Sequence, residues 1–121
     1  MEKMTLQERE AMLALWKIKK GTARHILEAH DEPFPHYNTL RSTLENLKQK
    51  NFLLIRPVGN TNEYIPVVEE SSYKKQFLSE FVKDHFEDSF KDMVTFFAQE
   101  KKLSEKDLSE IIDIIKNKRS K

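Results

Sequence analysis

Apolar residues recur at three- and four-residue intervals through most of the chain, and one short stretch is instead apolar, β-branched and bounded by turn formers. The pattern predicts a mainly α protein with a single small β-hairpin. Thr5 and Glu8 stand at capping-box spacing, and Leu6, Met12, Leu13, Leu15 and Trp16 then supply an apolar face, so a first helix is expected over about 5–19. Lys19, Lys20 and Gly21 end it, and Thr22 caps a short second helix with Ala23, Ile26, Leu27 and His30 inward. Asp31 to Pro35 contains two prolines and must turn before a third helix begins near His36. Phe52 to Val58 then reads as a strand, Gly59, Asn60, Thr61 and Asn62 as the turn, and Glu63 to Val67 as the returning strand. Pro57 and Pro66 lack an amide donor, which suits the edges of a two-stranded sheet.

The third helix, about 36–50, carries Tyr37, Leu40, Leu44 and Leu47 on one apolar stripe. Asn38, Thr39, Arg41, Ser42, Glu45 and Asn46 therefore point elsewhere. Small hydrogen-bonding groups with one arginine near a helix start fit base edges and phosphates in a DNA major groove, which is wide enough for a helix. A plain solvated helix face has the same periodicity. The hairpin that follows at once favours the nucleic-acid reading, because three helices and a two-stranded wing make a winged helix-turn-helix. That domain is expected over residues 1–70.

After Val68 the character changes. Glu69 to Ser72 form a polar junction, and Tyr73, Phe77, Leu78, Phe81, Val82 and Phe86 follow at helical spacing. A break is expected near Glu87 to Ser89, before Phe90, Met93, Val94, Phe96 and Phe97. Ser104 and Asp107 are again at capping-box spacing, with Leu103 and Leu108 placed as a hydrophobic staple, and Leu108, Ile111, Ile112 and Ile115 line a last helix. Thin helices with this many large apolar residues need a partner surface. Either they fold back on the first domain or they pair with a second copy, and symmetric dimers are the commonest solution. Residues 71–121 are thus expected to be a helical dimerisation region using Tyr73, Phe77, Phe81, Phe90, Val94, Phe97, Leu108, Ile111, Ile112 and Ile115.

Composition narrows the classes. The 121 residues hold 21 basic and 20 acidic side chains, a formal charge of +1, so any affinity for DNA must come from local placement. The chain has no cysteine, which excludes disulfides, thiol catalysis and cysteine metal sites. The start, MEKMTLQERE, has no signal-peptide core, and no apolar run nears the ~18 residues of a membrane span, so a cytoplasmic protein without membrane insertion is expected. No HExxH, nucleophile elbow or phosphate-binding glycine loop is present, and glycine occurs only twice, which argues against an enzyme. His30, Asp31, Glu32 and His36 crowd one proline-containing turn at spacings unlike zinc sites, so no metal or cofactor is expected.

Four blocks occur together: EREAMLALW around Trp16, NTLRSTLENLKQKNFL over 38–53, YIPV over 64–67, and SFKDMVTFFAQEKKLSEKDLSEIIDII over 89–115. In order and spacing they resemble the penicillinase repressor (BlaI/MecI) family along nearly the whole chain. The resemblance implies a homodimeric winged-helix transcriptional repressor of a pseudo-palindromic double-stranded DNA operator, relieved in many members by proteolysis downstream of a membrane-bound sensor protease that detects β-lactams. It places Thr39, Arg41 and Ser42 at recognition-helix positions that approach DNA. Arg41 suits guanine or a phosphate, and the hydroxyls suit phosphates or base edges, although Thr39 is equally suited to local backbone bonding. In the wing, about 52–67, Arg56 and the tip Asn60 to Asn62 suit phosphates. The family often has arginine at the position of Asn46, glycine at that of Asn51 and an aromatic residue at that of Arg9. Its cleavable Asn-Phe bond falls here at Phe96 and Phe97, but Phe96 replaces the asparagine, and a dimer-core aromatic pair is the favoured role for both. Two other classes share these features: a winged-helix protein-interaction module, marked by partner binding insensitive to salt, and a regulator binding a small ligand among Tyr73, Phe77 and Phe81, marked by a ligand-dependent thermal shift.

Overall fold

The structure is a computed structural model that describes residues 3–119. It divides into two compact units, with the boundary between Lys74 and Lys75. The first holds α1 (Leu6–Ile18), α2 (Ala23–Ala29), α3 (Tyr37–Gln49), β1 (Leu53–Val58) and β2 (Thr61–Pro66); α4 (Glu70–Phe86) spans the boundary, and α5 (Phe90–Gln99) and α6 (Glu105–Arg119) follow. Mainly helical with one antiparallel hairpin, it has the winged helix-turn-helix order the residue pattern predicts.

Local chemistry sets the ends of these elements. Thr5 and Glu8 form the full capping box of α1, and Lys19 closes it at φ 75°, a left-handed conformation. Thr22 caps α2 with an unforeseen partner: His25 donates its backbone N–H to Thr22 Oγ1, and its Nδ1 accepts the N–H of Thr22. Gly21, between these helices, exchanges backbone hydrogen bonds with Tyr64, adding a one-residue third rung to the hairpin. A Cβ there would stand 2.9 Å from Ile18 Cδ1.

The hairpin is tighter than the residue types suggest. Thr61 and Asn62 lie in β2, opposite Val58 and Pro57, so the loop is only Gly59 and Asn60. Of these two, only Gly59 has positive φ, at 61°, as in a type II′ turn, where the turn geometry matches the strand twist. Val67 falls outside the strand, but its N–H still donates to the Phe52 carbonyl.

One core unites the first unit: Ala11, Met12 and Leu15 of α1, Ile26 of α2, Leu40, Leu44 and Leu47 of α3, and Phe52, Leu53 and Tyr64 of the wing. Two stripe positions differ from expectation. Leu6 is exposed while Glu8 is buried, because the Glu8 carboxylate accepts from the Thr5 N–H and from Lys50. Tyr37 is 40% exposed and Thr43 is buried in its stead, its hydroxyl bonded to the Thr39 carbonyl one turn back. His30 is buried as predicted, its Nδ1 2.6 Å from the Asp31 carbonyl.

In the second unit the break falls where predicted. α4 stops at Phe86, Glu87 and Asp88 take positive φ, and the Ser89 hydroxyl accepts the Asp92 N–H to start α5. Ser104 and Asp107 exchange the two bonds of a capping box ahead of α6. Among described residues no helix is long and apolar enough to cross a membrane.

Candidate nucleic-acid interface

Helix α3 is held along its length. Leu40, Leu44 and Leu47 anchor it in the core, and at its C-cap Lys50 reaches the buried Glu8 at 2.7 Å, tying the helix end to the start of α1. Desolvation pushes the Glu8 carboxyl up, but hydrogen bonds from Lys50 and Thr5 and the Lys50 charge together hold it below its ordinary value. At the other end His36 provides no side-chain cap, so the first-turn amides keep donors for an outside acceptor.

The outer side of this anchored helix carries the predicted residues. Asn38, Thr39, Arg41, Ser42 and Asn46 are all exposed, and Glu45 pairs loosely with Lys48 at 3.7 Å. Beside the helix start, an open groove of about 290 Å³ runs between α3 and the wing, lined by Ala23, Tyr37, Arg41, Pro57, Gly59, Asn60, Thr61, Asn62 and Tyr64. Arg41, Asn60 and Asn62 thus converge on one groove whose lining has no carboxylate. Asn38, Thr39, Ser42 and Asn46 continue the exposed face outside it. Arg56 does not join them: it pairs across the hairpin with Glu63, on the strand face opposite to buried Tyr64 and Leu53.

One feature of the site was not foreseen. The Arg24 and Arg41 guanidiniums lie 5.9 and 6.0 Å from the centroid of the Tyr37 ring, an arrangement joining α2 to α3. Only the position of Tyr37 on the first turn of α3, where the stripe meets the surface, hinted at it.

The residues expected to pair two copies fall in both units. Tyr73 belongs to the first, where its ring lies 5.6 Å from that of Trp16, whose Nε1 donates to the Val68 carbonyl. In the second unit, rings link Phe77 to Phe81, Phe81 to Phe86, Phe86 to Phe96, and Phe96 to Phe97. Phe77, Phe90, Ile111, Ile112 and Ile115 are each at least 40% exposed, Phe81, Val94, Phe97 and Leu108 are half-buried, and among the described apolar side chains of α4 to α6 only Val82 is fully covered. Phe96 and Phe97 sit inside α5.

A sequence profile described as penicillinase repressor matches residues 4–117. Among similar proteins are the methicillin resistance regulatory proteins MecI of Staphylococcus aureus strain N315 and of Mammaliicoccus sciuri, each 25% identical over 114 residues, 92% of this chain and 91% of theirs. Among solved structures, TrmBL2, an archaeal chromatin protein, aligns at a TM-score of 0.48 with 26% identity, over 84% of this chain and 38% of its own. With the profile spanning both units and the winged fold in place, the chain belongs to the penicillinase repressor family of transcriptional repressors.

Proposed function

We propose that the protein represses transcription as a homodimer, seating α3 in the major groove of a pseudo-palindromic operator with the wing along the flanking backbone. The observation that carries this reading is the groove: Arg41 from the helix and Asn60 and Asn62 from the wing line one open, carboxylate-free surface. A major groove accepts a helix of this width, and an arginine with free donors suits guanine or a phosphate. Asn38, Thr39, Ser42 and Asn46 extend the contact along α3, and Arg56 adds a phosphate contact once it exchanges Glu63 for DNA.

The exposed apolar side chains of α4 to α6 support dimerisation, since a lone protein rarely leaves so many in water. Two linked half-sites raise affinity through effective concentration, so the dimer is integral to tight binding. A cut at Phe96–Phe97 downstream of a membrane-bound sensor would divide α5 and with it the dimerisation region, but Phe96 stands where the family's cleavable bond has asparagine, which favours a dimer-core role for this pair.

Selection from a pool of random duplexes with the full chain tests the reading. The expected result is enrichment of two inverted half-sites about one or two helical turns apart, with centres at multiples of roughly 34 Å. Enrichment of single half-sites would refute the dimeric mechanism, and no enrichment would refute sequence-reading altogether.

A further inference from the structure

We propose that Tyr37 is a positioning residue for DNA recognition, its exposed ring orienting Arg41 toward base edges and Arg24 of α2 toward a phosphate. The inference rests on the DNA-binding reading above and adds α2 to the contact surface.

Helical spacing puts Tyr37 on the apolar stripe of α3, yet its side chain is 40% exposed and lines the groove. Guanidiniums from two helices lie about its ring, at 5.9 Å for Arg24 and 6.0 Å for Arg41. Neither arginine forms an ion pair or side-chain hydrogen bond among the described residues. Arg56 of the wing differs, since it is already held by Glu63. Two like charges brought near one ring repel each other, and no carboxylate is among the residues that line the groove with Arg41. The negative ring face offsets part of that repulsion. A polyanion would offset the rest. A cation–π contact at this distance takes none of a guanidinium's N–H donors, the ones a phosphate or the O6 and N7 of guanine would take. The ring therefore limits where each arginine can point without consuming the donors that do the recognising.

The test uses the full chain, a duplex enriched by selection and a scrambled duplex of equal length, with affinities measured across a salt series. Arg24→Ala should weaken both duplexes by the same factor and lower the slope of log affinity against log salt by about 1.8 for the bound dimer, one phosphate contact from each protomer. Tyr37→Ala should reproduce that loss and also cut the preference for the enriched duplex by about fivefold or more, because Arg41 loses its orientation. Tyr37→Phe keeps the ring and should retain both preference and slope. In the Tyr37→Ala background, Arg24→Ala should have a smaller further effect. Unchanged circular dichroism and melting confirm that the fold is intact. A wild-type chain that discriminates while Tyr37→Ala matches it in preference and slope overturns this inference alone, as does Tyr37→Phe failing like Tyr37→Ala. A wild-type chain that does not discriminate overturns the DNA-binding reading and this inference with it.

Discussion

Glu8→Gln is the most informative stability perturbation, because it cuts the link between the start of α1 and the end of α3. The Glu8 side chain is 5% exposed, and its Oε1 accepts from the Thr5 N–H at 2.9 Å and from Lys50 Nζ at 2.7 Å. Glutamine preserves an oxygen for Thr5 but removes the charge facing Lys50. A hydrogen bond to a charged group contributes about 1.5–3 kcal/mol, and Lys50, at 25% exposure, regains part of that from water. The expected loss at neutral pH is therefore about 1–2 kcal/mol. Acid supplies the sharper test. Burial raises the Glu8 pKa, the Lys50 and Thr5 interactions lower it by more, and the folded value lies below the ordinary 4.5. A carboxylate with a depressed folded pKa stabilises fully above its unfolded value, and that stabilisation disappears as pH falls through the folded value. Urea unfolding followed by circular dichroism should show the wild type more stable at neutral pH and the two proteins converging below about pH 4.5. An equal gap at both pH values would refute the charge-based account, and no gap at neutral pH would refute the link itself.

Further outcomes follow from the same geometry. Arg41→Ala should weaken operator binding by about 1–3 kcal/mol in an equilibrium titration while leaving the melting temperature unchanged. Leu44→Ala, at a fully buried core position, should cost about 2–5 kcal/mol in urea unfolding. A chain ending at Lys74 keeps the Tyr73 contact with Trp16 and should fold, sediment as a monomer and bind the operator far more weakly than the full chain. Equal affinity would count against dimeric recognition.

The elements legible in the sequence are those whose ends are fixed by local chemistry. The capping boxes at Thr5 and Ser104, the break at Glu87 to Ser89 and the Leu40, Leu44, Leu47 stripe depend on residues within a turn of one another. What escaped depends on contacts distant in sequence. Periodicity favoured Leu6 over Glu8 for the core because nothing near Glu8 announces Lys50, 42 residues later. It favoured Tyr37 over Thr43 because threonine counts as polar, yet the Thr43 hydroxyl is satisfied on the preceding turn and the residue is buried. Thr61 and Asn62 are turn formers by type, but the positive φ of Gly59 allows a two-residue loop and draws both into β2. In the candidate site, the exposed face of α3 was readable from spacing. The Arg24 contribution, the Gly21 pairing with Tyr64 and the engagement of Arg56 by Glu63 appear only when separate elements meet.

The most direct test of the central claim is equilibrium binding of the full-length chain to a selected duplex and to its scrambled counterpart over a range of salt concentrations. Sequence-reading repression predicts at least about a thousandfold preference for the selected duplex, with affinity falling linearly in log salt as phosphate contacts are screened. Equal and weak binding to both duplexes would contradict it.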